Sequence, residues 1–254
     1  MNRIDSTFKN LNRAALVTFI TAGDPDLKKS AEILKSLPAA GADIIELGMP
    51  FTDPMADGPT IQASALRALD AGASMLTTLQ MVRDFRKDNN TTPIVLMGYA
   101  NPVYQYGVDN FVTDCASAGV DGLIIVDLPP EEDDVLHAGA QKNNIHLIKL
   151  ITPTTTEDRL KTILPKASGF LYYVSITGIT GSASADVNAV KTHIDIIRKS
   201  TSLPIAAGFG IRNPDDVAAF SKIADAVVVG SAIVQRAANN DDVPSFVQSL
   251  RNAL

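Results

Sequence analysis

Cysteine, histidine, tryptophan and surplus basic charge are all scarce in this sequence, and each scarcity removes a class of chemistry. The single cysteine, Cys115, can form no disulfide within the chain and cannot build a cysteine-rich metal site. Its setting in FVTDCASAGV, at helical spacing from other small or apolar residues, marks it as core packing. The three histidines, His137, His146 and His193, are far apart and show no HExxH-type spacing, which argues against a histidine zinc site. Lysine and arginine total 22 against 28 for aspartate and glutamate, and no basic run breaks that balance, so nucleic acid is not expected as the main partner. No apolar run approaches the roughly 20 residues of a membrane span. The opening MNRIDSTFKNLNRAALVTF also lacks the uninterrupted apolar stretch of a secretory signal, so a cytoplasmic location without membrane contact is expected.

What is present is the material of a core. Hydrophobic residues make up 46% of the 254 and charged residues 20%, ordinary for a soluble enzyme with a substantial interior. Eight short apolar runs recur: AALVTFIT (14–21), ADIIELG (42–48), PIVLMGY (93–99), DGLIIVDL (121–128), IHLIKLIT (145–152), FLYYVSI (170–176), LPIAAGFG (203–210) and ADAVVVGS (224–231). Such near-continuous runs suit parallel strands covered on both faces. Segments of helical spacing, such as DLKKSAEILKSLPAAG and NPDDVAAFSKIA, lie between them. Eight strand–helix repeats predict an α/β fold, a (β/α)8 TIM barrel with extra helices, one of them around 59–71. No Pro/Gly/Ser-rich linker divides residues 1–254, so one domain is expected. The segment before Ala14 is a candidate plug for the barrel's N-terminal end, and DDVPSFVQSLRNAL the last outer helix.

In such a barrel the active site forms at the C-terminal ends of the strands and in the loops after them. Glu46 falls near the end of the second strand and Asp57 in the loop that follows. A carboxylate within an apolar strand either pairs with a basic neighbour or is kept for acid/base work, since burial raises its pKa. Asp57 and Asp53 each fit a turn residue bonding its own backbone equally well; their joint placement after Glu46 makes the whole loop the candidate. GFGIRN (208–213) and GSAIV (230–234) follow the last two strands, where barrels often bind phosphate on backbone N–H groups and a helix N-terminus. The alternative is that Gly208, Gly210 and Gly230 only permit tight turns. GFGIRN lacks the third glycine of a dinucleotide fingerprint and comes late in the barrel, so no nicotinamide cofactor is expected. SITGITGSASAD (175–186) has the composition of a mobile lid or of a plain connection.

Residues 46–62, ELGMPFTDPMADGPTIQ, together with GDP (23–25), MGYANP (97–102), GITG (178–181), GFGIRNP and GSAIV, resemble the tryptophan synthase α chain family, in order and over essentially the whole chain. The first motif is long and specific, whereas many phosphate-binding barrels share the glycine loops. The resemblance implies retro-aldol cleavage of indole-3-glycerol phosphate to indole and glyceraldehyde 3-phosphate, with no metal and no Schiff base. By the same matching Glu46 is the acid/base and Asp57 stabilises positive charge at the indole N–H. Phe19 and Tyr172 line the indole pocket. Gly181, Gly210, Gly230 and Ser231 hold the phosphate, with Thr180 in the closing loop. The resemblance further implies a β chain partner carrying pyridoxal phosphate, no cofactor on this chain, and an α2β2 assembly. Asp53, Pro54, Asn101 and Pro129 match positions at that contact.

Two departures stand out: Lys149 occupies strand five where the family leads one to expect an apolar residue, and the chain ends soon after its last helix. Lys149 is expected to face outward and snorkel between helices. Three other functions stay open at this level. One is an aldolase using Lys149 as a Schiff-base nucleophile. Another is a glycosidase using Glu46 and Asp57 as a carboxylate pair, which the absence of tryptophan platforms disfavours. The third is a non-catalytic subunit that binds the phosphate ester to activate a β chain; a free-standing lyase is a close relative of the main reading.

Overall fold

All eight apolar runs form strands, because each presents apolar side chains to both of its faces. The computed structural model describes residues 1–174, 187–208 and 210–254. Among these residues nine strands form one parallel sheet: β1 (Ala15–Thr21), β2 (Ile44–Gly48), β3 (Ile94–Gly98), β4 (Gly122–Ile125), β5 (His146–Leu147), β6 (Lys149–Ile151), β7 (Leu171–Val174), β8 (Ile205–Gly208) and β9 (Ala226–Val229). Their order is β5-β4-β3-β2-β1-β9-β8-β7-β6. The two ends of that order are consecutive in the chain, parted only at Ile148, whose N–H still reaches Leu123 O at 2.9 Å. With β5 and β6 in one position, the sheet closes as an eight-position (β/α)8 barrel, the predicted fold.

Alternation along the strands divides the interior in two. Ala15, Val17, Ile44, Val95, Ile124, Ile148, Tyr172, Ala206 and Val228 point into the barrel and pack together. Leu16, Ile45, Leu47, Leu96, Leu123, Leu171, Ile205 and Val227 point outward beneath the helices. Ile4, on the helix Arg3–Asn10, is fully buried among the inward set, so this helix plugs the barrel as its position suggested. Asn2 caps that helix and also bonds Asp121 O at 3.0 Å, which fixes the plug at the N-terminal end of β4. The extra helix forms at Pro59–Asp70, entered by proline at its first position after Gly58. The last helix, Val243–Arg251, is capped by Asp242 and buries Val243, Val247 and Leu250.

The N-terminal rim repeats one device. Asp43, Asp121 and Asp225 each accept a hydrogen bond from the backbone N–H of the neighbouring strand's first or second residue, namely Leu16, Ile94 and Ile205, at 2.7–2.9 Å. Each also holds an arginine: Arg13 on Asp43, Arg3 and Arg86 on Asp121, Arg198 on Asp225.

Lys149 departs from expectation in one respect. It does face outward, between Ile148 and Leu150 of the inward side, but it does not snorkel. It is 6% exposed and pairs with Asp133, whose side chain is fully buried. An outward lysine held by a carboxylate cannot meet a substrate inside the barrel, which removes the Schiff-base aldolase.

Candidate active site

Glu46 lies on the inward face of β2, two residues after the inward Ile44 and in register with Phe19 of β1 and Val95 of β3. It is fully buried, and among the described residues neither carboxyl oxygen has a hydrogen-bond partner. The alternative of a strand carboxylate paired with a basic group is therefore not what the fold provides. Burial pushes its pKa up to about 8, so the neutral acid dominates at pH 7. A carboxyl held neutral by its surroundings is a proton donor waiting for an acceptor.

Asp57 occupies the turn after β2, its N–H bonded to Pro54 O at 3.0 Å. Its side chain does not bond its own backbone. Instead Oδ2 accepts from the Tyr99 hydroxyl at 2.9 Å, and that hydroxyl accepts from Ala56 N at 3.1 Å. Tyr99 thus clamps two consecutive residues of the loop. Partial burial raises the Asp57 pKa and the Tyr99 hydrogen bond opposes the rise. Beyond the turn, the helix Pro59–Asp70 is fastened to the end of β1 by Ser64 on Thr21 at 2.7 Å and by Arg67 on Asp24 at 2.7 and 3.0 Å. These contacts hold the loop from its far side.

Phe19, Gly48, Phe51, Asp57, Met97, Tyr99 and Val126 line a recess that opens at the C-terminal face of the barrel. Glu46 is not on its wall, but Phe19 beside it is. Phe19 needs the glycine at 48, since a Cβ there would lie 2.6 Å from its Cζ. Its other side abuts Gly230, where a Cβ would come within 3.4 Å of Phe19 Cβ, so one ring links the recess to the turn after β9. Tyr172, inward on β7, sets its hydroxyl over Gly208, where a Cβ would come within 2.4 Å of it. Its pKa is raised by burial first and then by the charges of Glu46 and Asp57, so the three groups share one interior.

Gly210 adopts φ +59°, a left-handed conformation natural to glycine. Gly230 precedes the helix Ser231–Ala238, whose first residue Ser231 is exposed, and the N–H groups of Ile233 and Val234 close on Gly230 O. Both turns lie at the mouth. Thr180 and Gly181 fall outside the described residues, as does all of 175–186. Asp53, Asn101 and Pro129 are exposed and Pro54 is half-buried; Asp53 and Pro54 lie in the loop after β2, Asn101 in the helix Ala100–Tyr106 that follows β3 and Pro129 in the loop after β4, all at the same face. Met55 in the first loop and Tyr104 on that helix, 76% and 55% exposed, give this face apolar bulk without cover.

Tyr99 and Phe51 line the recess, and sequence reasoning passed over both. The available signal was position: Tyr99 is the first residue after β3, at the face where barrel chemistry sits. Among the described residues no group of three or more His, Cys, Asp or Glu could hold a metal ion, and no helix is long and apolar enough to cross a membrane.

Comparison with known proteins agrees with the barrel fold. The family model described as tryptophan synthase alpha chain matches residues 6–252. The solved structure of tryptophan synthase subunit alpha from Legionella pneumophila str. Paris is 39% identical, with a TM-score of 0.93 and coverage of 100% of this chain and 98% of that one. A chain from Aquifex aeolicus VF5 is 34% identical at a TM-score of 0.93, covering 100% and 99%. A chain in the open form of tryptophan synthase from M. tuberculosis with BRD0059 bound is 31% identical at a TM-score of 0.90, covering 100% and 98%.

Proposed function

The chain belongs to the tryptophan synthase alpha chain family, and on that premise we propose that Glu46 moves the protons of its reaction while Asp57 holds the charge that develops. The reaction is the carbon–carbon lyase step of tryptophan biosynthesis, cleavage of indole-3-glycerol phosphate to indole and glyceraldehyde 3-phosphate. One observation carries the assignment: a fully buried carboxyl, without a hydrogen-bond partner among the described residues, on the inward face of a barrel strand beside the recess.

The proton balance is simple. Glu46, neutral at rest, gives its proton to indole C3, and the ring nitrogen becomes an iminium. The resulting carboxylate takes the proton of the glycerol hydroxyl next to the ring. The C–C bond breaks, its electrons flow to the iminium, and the aldehyde and indole separate with Glu46 protonated again. Asp57, an acceptor at the rim, takes the indole N–H and offsets the ring's positive charge through the preorganised field such sites supply. Phe19 and Tyr172 flank the ring. Gly210, Gly230 and Ser231, with Thr180 and Gly181, hold the phosphate at the positive end of the helix Ser231–Ala238.

The family's α chain works with a β chain. We infer an α2β2 assembly in the cytoplasm, with pyridoxal phosphate on the β chain and none here. In it residues 1–254 act as one domain, Asp53, Pro54, Asn101 and Pro129 meet the β chain, and indole passes to it. Indole release by the purified chain, with and without the β chain, tests this. Weak activity that rises with the partner is expected; full activity alone would make the chain a free-standing lyase, and none in either state a non-catalytic subunit.

Tyr99→Phe removes the clamp on Asp57 while keeping the ring. A hydrogen bond to a charged group contributes about 1.5–3 kcal/mol, so kcat is expected to fall roughly 10- to 100-fold. Because the lost bond lowers the Asp57 pKa, that pKa rises in the variant and the acidic limb of the pH–rate profile moves to higher pH. A drop in kcat with the acidic limb unmoved would separate Tyr99 from Asp57.

A further inference from the structure

Lys149 belongs to a buried ionic knot that the catalytic reading leaves unused. Its ammonium pairs with Asp133, the residue before the helix Asp134–Lys142, and Asp133 also accepts from Lys166 at 3.0 Å. Lys166 ends the short 3-10 turn Leu164–Lys166 and donates as well to Pro130 O at 2.6 Å and Asp134 at 2.5 Å. Arg159, on the helix Glu157–Ile163, pairs with Glu131. Residues 130, 131, 133 and 134 are thus tied to β6 or to the segment 157–166. At the other end of the same loop, Asp127 Oδ1 accepts from Ala100 N at 2.8 Å, next to Asn101. Leu128 and the exposed Pro129 stand between these anchors.

A lysine on the apolar back of a barrel strand is costly to bury without a counter-charge. A buried ion pair returns little net stability, and an apolar pair of similar volume often does as well. What distinguishes the ionic pair is geometry, since Asp133 can satisfy both lysines only with the loop in one place. A loop fixed beforehand loses less conformational freedom when a partner docks on it.

We propose that Asp133, gripped by Lys149 and Lys166, is a positioning residue for the loop that carries Pro129, and that the affinity of this chain for a β chain depends on this knot. The proposal rests on the assignment of that loop to the partner contact.

The test compares wild type with the double variant Lys149→Met, Asp133→Leu and with Lys166→Met. Three quantities are read: the dissociation constant for the β chain by calorimetry, indole release by the chain alone, and hydrogen exchange at the amides of Leu128, Glu131 and Glu132. Expected are a dissociation constant at least tenfold higher, exchange at least tenfold faster, and indole release without partner within twofold of wild type. Partner affinity within twofold of wild type in either variant overturns the proposal. If the double variant does not fold, Lys166→Met carries the same test, because that side chain is one-quarter exposed. Wild-type chain that binds no β chain removes the partner assignment and this proposal together; wild type that binds while the variants bind equally removes the proposal alone.

Discussion

Glu46→Gln is expected to reduce indole release by about 10²- to 10⁴-fold, the range in which a positioned acid/base contributes, while the KM for indole-3-glycerol phosphate changes little. The amide fills the same volume but cannot give a proton to C3 or recover one from the glycerol hydroxyl. The same substitution has a second, opposite effect on stability. Below about pH 4.5 the glutamic acid is protonated in both folded and unfolded chains. As the pH rises from there, the unfolded chain releases its proton and the folded chain keeps it until about pH 8, so wild-type stability falls through that window and levels off above it. At about 1.4 kcal/mol per unit the loss reaches about 5 kcal/mol. Glutamine does not ionise. The variant is therefore expected to melt higher than wild type at pH 8 and near it at pH 5. A gap that does not change between those two pH values would refute the raised pKa, and retained turnover would remove Glu46 from the chemistry.

Asp121→Ala is expected to cost about 3–5 kcal/mol, because it leaves a buried cation without its counter-charge. Asp121 accepts from Arg86 at 2.7 Å, from Arg3 at 2.9 Å and from Ile94 N at 2.9 Å, and its side chain is 3% exposed. Arg86 is nearly as deep; burial pulls its pKa down to about 10 and the Asp121 charge opposes that fall. Without Asp121 the guanidinium keeps, among the described residues, the carbonyls of Gly119, Asn89 and Thr92 and the face of the Phe85 ring, none of which carries a negative charge. The plug helix also loses its tie through Arg3. At about 2–4 °C per kcal/mol for a chain of this size, the melting temperature falls by roughly 10 °C. The matching changes at Asp43 and Asp225 serve as graded controls. Asp43 and Arg13 are mostly buried and Asp225 and Arg198 more open, so the losses should rank Asp121, then Asp43, then Asp225. A different order would mean that burial does not set the strength of this rim. All three lie at the N-terminal ends of the strands, so turnover of the folded variants should stay near wild type.

The barrel was legible in the chain because β-branched and apolar residues, spaced by helical segments, leave few ways to cover both faces of eight strands. The helix at Pro59–Asp70 stood out through the length of the interval it fills, whereas the segment before Ala14 was only a candidate plug until Ile4 was placed among the inward side chains. The break at Ile148 did not, since IHLIKLIT reads as one run and only closure of the ring parts it into His146–Leu147 and Lys149–Ile151. Lys149 shows the limit of pattern. Alternation correctly put it on the outer face, but its counter-ion is sixteen residues away on another element, and no local spacing announces that pairing.

The candidate site divides along the same line. Which carboxylates are at issue can be read from the chain alone, because a glutamate in an apolar strand is costly and an aspartate in the next loop shares its face. So can where the glycines at the mouth fall, since strand ends and turns are local matters. Folding alone shows that Glu46 finds no hydrogen-bond partner among the described residues, that Asp57 turns away from its own backbone to a tyrosine 42 residues on, and that Phe19 and Tyr172 occupy the space kept open by Gly48 and Gly208. Desolvation and hydrogen-bond choice depend on what else reaches the same few ångströms. In a closed barrel those neighbours come from strands far apart in the chain.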